Sequence, residues 1–389
     1  MRDAFLLDPT VSFLNHGSFG ACPRVVIDAQ RRWQDELERN PVEFLGRRSA
    51  ALLGEARAAL AAELGAQPGH LVFIPNATTG VNLVARSLPL AAGDEVLSTS
   101  LEYGACDAAW QRLCAQRGAV YRRVEIPLPY RRGEVVDRLM AAVTPRTRVL
   151  FASHITSTTA LTLPIAELCA AARAKGLLTL IDGAHAPGQI PLGLDAIGAD
   201  FYVGNCHKWL CAPKGAGFLH ARPEHHEALE ATVISWGYAE GTGGHSGFEA
   251  YLGHTPFERH LQWQGTRDIT PWLAVPAALD FQRQHDWPAV RARCHALAAQ
   301  ALEVLTTRHG LAPIAEDGDW AQMVAIPVPV PVQAAEALRR CLFDEHRIEI
   351  PVTTHAGQTF VRLSVQGYNT ADDIARLVDA PPLSRPWPT

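Results

Sequence analysis

Short apolar runs alternate with helical patterns along the first two-thirds of the chain. Six of these runs are apolar almost throughout, as strands are when both faces of a largely parallel sheet are covered. They predict strands at Leu71–Ile74, Glu95–Ser98, Val149–Ser153, Leu177–Ile181, Phe201–Val203 and Gly217–Leu219. Between them lie helical patterns such as Ile165–Ala174, whose apolar positions fall on one face. This alternation predicts an α/β doubly wound domain with a large, mainly parallel sheet.

The pattern changes after about Pro271. Two long helical patterns, Ala289–Arg308 and Ala334–His346, flank the strand candidate Met323–Val330, and Phe360–Val365 alternates as a half-buried strand does. We therefore expect a smaller α+β domain at the C-terminus. The predicted division is an N-terminal segment 1–20 that packs with the small domain, a large domain 21–270, and the small domain 271–389.

Composition limits the class of protein. The chain has 389 residues, 48% of them hydrophobic, which is enough for two domains with sizeable cores. The net charge is −5 and no basic block suggests nucleic-acid binding, while the apolar runs are too short to cross a bilayer. Eight cysteines without a CxxC pair favour free thiols in the cytoplasm. We expect a small-molecule substrate and neither a nucleic-acid partner nor a membrane.

Polar groups follow three of the predicted strands, where ligands bind in open α/β sheets. Asp182 directly follows one strand, and a buried carboxylate there could hold a protonated ring nitrogen. Lys208 follows the next strand, and desolvation can lower the pKa of such a lysine until it is a nucleophilic amine. The turn Asn76–Gly80 begins a helix, which suits a phosphate. Together these groups are what pyridoxal 5′-phosphate (PLP) requires.

Each of these signals is weak when taken alone. Asp182 could cap a helix, His185 could be a core histidine, and Lys208 could lie on the surface. Their combination in this order favours the PLP site. A nucleotide-dependent α/β enzyme lacks support, because no GxGxxG follows the first strand and no GxxxxGK[ST] motif occurs.

Stretches from about residue 12 to about residue 370 resemble the class V aminotransferase family of fold-type I PLP enzymes. They are Asp182–Gly188, Gly198–Tyr202, His207–Trp209, Glu102–Asp107, Ser153–Ser157 and Gly265–Asp268. The opening Phe13–Gly20 resembles a narrower branch, the isopenicillin N epimerase-like proteins, which also includes carbon–sulfur lyases of the ergothioneine and lincosamide pathways. The resemblance implies the fold-type I architecture, PLP as cofactor and an amino-acid substrate.

The resemblance also implies roles around the ring of the cofactor. Lys208 would carry PLP as a Schiff base and then move the Cα proton. Asp182 would bind the pyridinium nitrogen and keep the ring an electron sink. Tyr103 would stack on the ring, where relatives often have histidine, while His185 and Ser157 would lie near its phenolic oxygen. Ser157 replaces an asparagine that is common elsewhere in the family.

Further positions are implied for the phosphate group. Ala77, Thr78 and His207 would bind it, and Asn205 stands where many relatives have a phosphate-binding serine. Thr266 would reach the phosphate of the neighbouring subunit, so the resemblance implies a homodimer with shared active sites.

The substrate is expected to be bound by Arg362, which matches the family's arginine for the substrate carboxylate. A bidentate guanidinium is a natural clamp for such a group. Asn15 and His16 would border the substrate pocket. Arg47 or Arg48 could do the same, with solvated helix positions as the equally weighted alternative.

The expected reaction is β-elimination, with cleavage of the C–S bond of a cysteine-derived amino acid. Epimerisation or racemisation and transamination are alternatives, since the same residues near the cofactor serve all of them. A two-base epimerase needs a second acid or base, for which the candidates are His154, His185, His207 and His245. A non-catalytic PLP-binding protein is less consistent with an intact Arg362.

Two further stretches bear on the reaction. Persulfide-forming desulfurases need a cysteine shortly before the carboxylate arginine, and none lies between Leu342 and Arg362. Cys341 falls within a helical pattern and suits a core position instead. The glycine-rich stretch Gly241–Gly247 is interpreted either as a mobile loop near the substrate or as an ordinary surface loop.

Overall fold

The computed structural model describes residues 1–238, 252–385 and 387, and twelve strands lie within them. The strands are β1 (Ser12–Phe13), β2 (Leu71–Ile74), β3 (Glu95–Thr99), β4 (Val120–Val124), β5 (Thr147–Ser153), β6 (Leu178–Gly183), β7 (Phe201–Asn205), β8 (Gly217–Ala221), β9 (Met323–Val328), β10 (Ile348–Glu349), β11 (Val352–His355) and β12 (Gln358–Ser364).

The described α-helices surround these strands. They are α1 (His16–Phe19), α2 (Arg24–Arg39), α3 (Pro41–Glu43), α4 (Ser49–Leu64), α5 (Ala77–Ser87), α6 (Gly104–Arg117), α7 (Val135–Ala141), α8 (Ile165–Ala174), α9 (Leu194–Ile197), α10 (Pro256–Gln262), α11 (Thr270–Leu273), α12 (Val275–Gln284), α13 (Trp287–His309), α14 (Ala335–Asp344), α15 (Ala371–Asp379) and α16 (Pro381–Ser384). None of the described helices combines the length and apolarity that a membrane crossing needs.

Seven strands form the central sheet in the order β2-β8-β7-β6-β5-β3-β4. Only β8 runs antiparallel to its neighbours, so the other six strands end at the same edge of the sheet. Six of the seven are buried along their whole length or nearly so, because helices cover both faces of the sheet. The predicted large, mainly parallel sheet is confirmed.

A second sheet of three antiparallel strands, β11-β12-β9, lies in the C-terminal part of the chain. The N-terminal segment joins this part, since β1 pairs with β10 and Asn15 forms a bridge with Ser364. Helices α11 and α12 pack against α2 and α4 of the earlier chain. The boundary near residue 271 stays a prediction.

Candidate active site

A cavity of about 320 Å³ opens where the parallel strands end. Its walls combine the residues that follow β2, β3, β5, β6 and β7 with the beginning of the chain. Eight of the expected site residues line it, namely Ala77, Thr78, Tyr103, Ser157, Asp182, His185, His207 and Lys208. Residues from six separate segments therefore meet in one place, as the shared direction of the strands predicts.

The turn that carries Lys208 is held by the N-terminal segment. The carbonyl of Lys208 lies 3.0 Å from Nε2 of His16. Gly20 has a φ of +71°, and a Cβ there would lie 2.1 Å from the carbonyl oxygen of His207. Lys214 donates to the carbonyl of Gly20 at 2.9 Å. A glycine at position 20 therefore allows the two segments to touch and fixes the lysine turn.

The amine of Lys208 lies 3.1 Å from Nε2 of His185. The indole N–H of Trp209 donates to Nδ1 of His185 at 3.4 Å, so the neutral ring carries its proton on Nε2. Burial and the nearby charge of Lys208 hold the pKa of His185 well below its ordinary value. Burial and Arg362 also lower the pKa of Lys208 to about 8. The lowered pKa makes the neutral amine more accessible than in a free lysine, and in that state it can accept the Nε2 hydrogen of His185.

Asp182 lies near the end of β6 with its carboxylate inside the cavity wall. Its Oδ1 accepts the amide hydrogen of Ala184 at 2.9 Å, and Sγ of Cys106 lies 3.5 Å from Oδ2. Burial raises the pKa of Asp182, although the Ala184 amide and the charge of Lys208 oppose this. A cationic N–H placed beside Oδ2 would offset the cost of burying this carboxylate.

The turn before α5 presents an amide that is free to bind an anion. The side chain of Asn76 accepts the amide hydrogen of Thr79 at 2.9 Å, and Oδ1 of Asn205 accepts that of Ala77 at 2.8 Å. Among the described residues, the amide of Thr78 has no acceptor. An N–H at the positive end of an eleven-residue helix suits a phosphate oxygen.

Arg362 lies beside the cavity without a carboxylate partner among the residues that the structure describes. Its Nη1 donates to the carbonyl of Ser157 at 2.7 Å and to Oγ at 3.2 Å, and Nη2 donates to Oγ of Ser18 at 3.0 Å. Its Nε is buried and has no partner. Burial lowers the pKa of Arg362 to about 10. A buried guanidinium with neutral partners has the electrostatic character of an anion-binding site.

Several expected site residues do not line the cavity. We expected His16 to border the substrate pocket, but its ring is fully buried between Tyr368 and the Lys208 turn. Asn15 instead donates to Glu349 at 3.2 Å. Thr266 is exposed and lies outside the cavity of its own chain. Arg48 forms ion pairs with Glu36 and Glu43, which supports the alternative of a solvated position.

The remaining expected positions lie away from the cavity or outside the described residues. Arg47 is exposed and does not line the cavity. The stretch Gly241–Gly247 and His245 fall outside the described residues.

The cavity also contains residues that the sequence did not single out. Ser18 and Phe19 line it, although the stretch Phe13–Gly20 that contains them was noted only for its resemblance to a branch of the family. Lys214 lines the cavity from the loop between β7 and β8. Glu102, the residue before Tyr103, is buried outside the cavity lining and accepts hydrogen bonds from the hydroxyls of Thr99 and Ser153. The signal for Lys214 was a lysine between proline and glycine, close after Lys208.

The sequence profile of the aminotransferase class-V family matches residues 15–377. This match covers most of the chain. The chain belongs to the class V aminotransferase family. It is 43% identical to isopenicillin N epimerase of Streptomyces clavuligerus, over 97% of this chain and 96% of that protein. It is 29% identical to a putative L-cysteine desulfhydrase of Oryza sativa subsp. japonica, over 95% of this chain and 82% of that protein.

The fold of this class V enzyme is also found in solved structures. A mutant of C-DES with glycine covalently linked to its PLP cofactor superimposes with a TM-score of 0.81 at 23% identity. The superposition covers 98% of this chain and 100% of that one. The expected fold-type I architecture is therefore confirmed.

PLP is the cofactor of this class V enzyme, and the cavity fits it. The buried carboxylate of Asp182 suits the ring nitrogen, the free amide of Thr78 suits the phosphate, and Lys208 offers the amine. The three groups lie at or shortly after the ends of three different strands, and all three line one cavity.

Proposed function

We propose that this enzyme cleaves the C–S bond of a cysteine-derived amino acid by β-elimination. Bound PLP supplies an electron sink that makes the Cα–H bond of the amino acid acidic. The observation that carries the proposal is the amine of Lys208 in the cavity and, beside it, the guanidinium of Arg362, which has no carboxylate partner among the described residues. An α-amino acid offers this site a carboxylate and a Cα proton.

The residues would act in sequence on such a substrate. The free Nε of Arg362 and its neighbouring N–H groups would bind the carboxylate in place of the neutral serine contacts. Nζ of Lys208 would then take the Cα proton, and Nε2 of His185 would orient the amine. The C–S bond breaks as the thiol leaves with the bonding electrons and a proton. With one added water, the remaining atoms become pyruvate and ammonia.

Three of the four candidate histidines lie within the described residues, and their positions support a reaction with one base. His154 lies outside the cavity lining and hydrogen-bonds to the hydroxyl of Tyr202 at 2.8 Å. His185 lies beside Lys208, and Nδ1 of His207 donates to the carbonyl of Ala216 at 3.2 Å. Elimination needs only the base that removes the Cα proton, whereas epimerisation by two bases also needs an acid on the opposite face.

Epimerisation is the second candidate, because the relative that is 43% identical over nearly the whole chain is an isopenicillin N epimerase. Tyr103 would then be the second acid or base. It is 45% exposed at the cavity wall, and its hydroxyl makes no hydrogen bond to the described residues. A hydroxyl free to turn toward the substrate suits proton return from the face opposite Lys208.

The test is a panel of cysteine-derived amino acids and unsubstituted amino acids incubated with the holoenzyme in deuterated water. Elimination gives equal amounts of pyruvate, ammonia and thiol, and Lys208→Ala gives none. Inverted, deuterated amino acid without pyruvate would contradict elimination and favour the epimerase. In that case Tyr103→Phe should lose inversion while it retains exchange. A new 2-oxo acid with transfer of the amino group would indicate transamination, and no turnover would indicate a PLP-binding protein.

We also propose that the active unit is a homodimer in the cytoplasm. Thr266 is exposed outside its own cavity, which supports a contact with the partner's phosphate. The eight cysteines are free, which supports a reducing compartment. Light scattering should give twice the chain mass of 42.3 kDa, and Thr266→Ala should release PLP more readily on dialysis. A monomer that retains PLP and activity would contradict the shared site.

A further inference from the structure

Two histidines and one carboxylate converge outside the active site, at the edge of the central sheet. His220 lies on β8, and His70 ends the 3-10 turn that leads into the edge strand β2. The register pairs Leu71 with His220, so His70 lies beside His220. Asp195 belongs to α9 and reaches both rings. None of the three residues lines the PLP cavity.

The three donor atoms have the spacing of metal ligands. Oδ1 of Asp195 lies 3.1 Å from Nδ1 of His70 and 3.0 Å from Nε2 of His220. All three atoms lie within 4.8 Å of one another. A tetrahedral ion with bonds of about 2.0–2.2 Å separates its ligand atoms by roughly 3.3 Å. The two separations that involve Asp195 are therefore within a few tenths of an ångström of this spacing.

The side-chain types also suit an ion. Two imidazoles and a carboxylate are a donor set that zinc and related ions prefer.

The surroundings hold the carboxylate and leave one side open. The second oxygen of Asp195 accepts the amide hydrogen of Gln67 at 3.0 Å, as ligand carboxylates are commonly held. His220 is almost fully buried and fixed in its strand, whereas the side chains of His70 and Asp195 are partly exposed. Solvent can therefore enter with the ion and provide a fourth ligand.

We propose that His70, Asp195 and His220 bind one divalent transition-metal ion per chain, with Zn²⁺ as the probe. The ion would join the edge strand β2 to β8 and α9 and would stabilise the large sheet. It would not take part in the reaction, because its ligands lie away from the cavity. The proposal is independent of the C–S cleavage reaction.

The test counts zinc on the holoenzyme after removal of metals with a chelator, incubation with Zn²⁺ and desalting. The wild type should retain one zinc per chain more than His70→Gln, and Zn²⁺ should raise its unfolding temperature but not that of the variant. Asp195→Asn should give the same zinc count as His70→Gln.

The matched control is His295→Gln, because His295 bonds to the single carboxylate of Asp317 at 2.9 Å without a second histidine. It should retain as much zinc as the wild type. The absorbance of bound PLP verifies that each variant is folded. Equal zinc in the wild type and folded His70→Gln would overturn the proposal, as would a wild type that retains none.

Discussion

Two buried arginines of this protein have opposite surroundings. Arg57 and Arg362 are each 5% exposed. Arg57 forms an ion pair with Glu258 at 2.7 Å, and its Nε donates to the carbonyl of Pro68 at 3.1 Å. Arg362 bonds to neutral oxygens only, and its Nε has no partner.

The difference is between a buried charge that a carboxylate of the same chain compensates and one that no described carboxylate compensates. Burying a cation costs several kcal/mol unless an anion compensates for it. Arg57 receives that compensation from its own chain. Arg362 does not among the described residues, and it lies beside the cavity where Lys208 and Asp182 meet. The same contrast applies to the aspartates. Asp200 is hydrogen-bonded and ion-paired, whereas Asp182 accepts hydrogen bonds but forms no ion pair with the described residues.

The largest expected effect is a loss of turnover when Asp182, but not Asp200, is replaced by asparagine. Asp182→Asn should lower turnover by about 10³-fold or more, because an amide cannot keep the ring nitrogen protonated as a carboxylate does. Asp200→Asn should lower stability instead, since Asp200 binds the backbone and hydroxyl of Thr179. Steady-state kinetics and thermal unfolding of both variants measure the losses of turnover and stability. Similar kinetic losses in both variants would contradict the different roles of Asp182 and Asp200.

Replacing the two arginines should likewise affect kinetics in one case and stability in the other, with a smaller kinetic loss than for Asp182. Arg362→Leu should lower kcat/KM by about 10²–10³-fold through the loss of charged hydrogen bonds to the substrate, with little change in stability. Arg57→Leu leaves Glu258 buried without its cation and should cost about 3–5 kcal/mol of stability. Denaturant unfolding and kinetics at matched pH compare the two. A strong loss of stability in Arg362→Leu with normal kinetics would contradict the assignment.

The smallest effect concerns Glu102, which is buried with hydroxyl partners and forms no ion pair with the residues that the structure describes. Burial raises its pKa to about 8 from an ordinary value of 4.5. Between these values the folded chain holds one proton more than the unfolded chain, so stability falls as pH rises through this window. The loss is at most about 1.4 kcal/mol per pH unit.

Glu102→Gln should flatten this dependence between pH 5 and pH 8, because the amide does not titrate. Exposed Glu134, paired only with Arg138, is the control, and Glu134→Gln should leave the slope unchanged. Thermal unfolding of the holoenzyme at several pH values provides the measurement. An unaltered slope in Glu102→Gln would show that this carboxyl is ionised in the folded protein.

The central sheet was largely predictable because its strands are apolar on both faces. The prediction Phe201–Val203 corresponds to β7 at Phe201–Asn205, and the helix Ile165–Ala174 has the predicted bounds. The edge strand β4 was missed, since it carries Arg122 and Arg123 and is only partly buried. An edge strand has solvent on one side and lacks a continuous apolar run.

The site was predictable only where chemistry directly follows a strand. Lys208 and Asp182 were identified in this way, and the structure brings them to one cavity, although their roles stay predictions. His16 lies outside the cavity lining, at a place that depends on Tyr368, which is 352 residues away in sequence. Local patterns contain no information on such a contact. The ion pair of Arg57 was equally invisible, since its partner is about 200 residues distant.

The most direct test of the account is the site of covalent attachment of PLP. The chain has three lysines, of which Lys208 and Lys214 line the cavity and Lys175 is exposed. Borohydride reduction of the holoenzyme followed by peptide mass spectrometry should place the adduct on Lys208. Lys208→Ala should carry none, while Lys214→Ala should still be labelled at Lys208. An adduct on Lys214 or Lys175 in the wild-type holoenzyme would contradict the account.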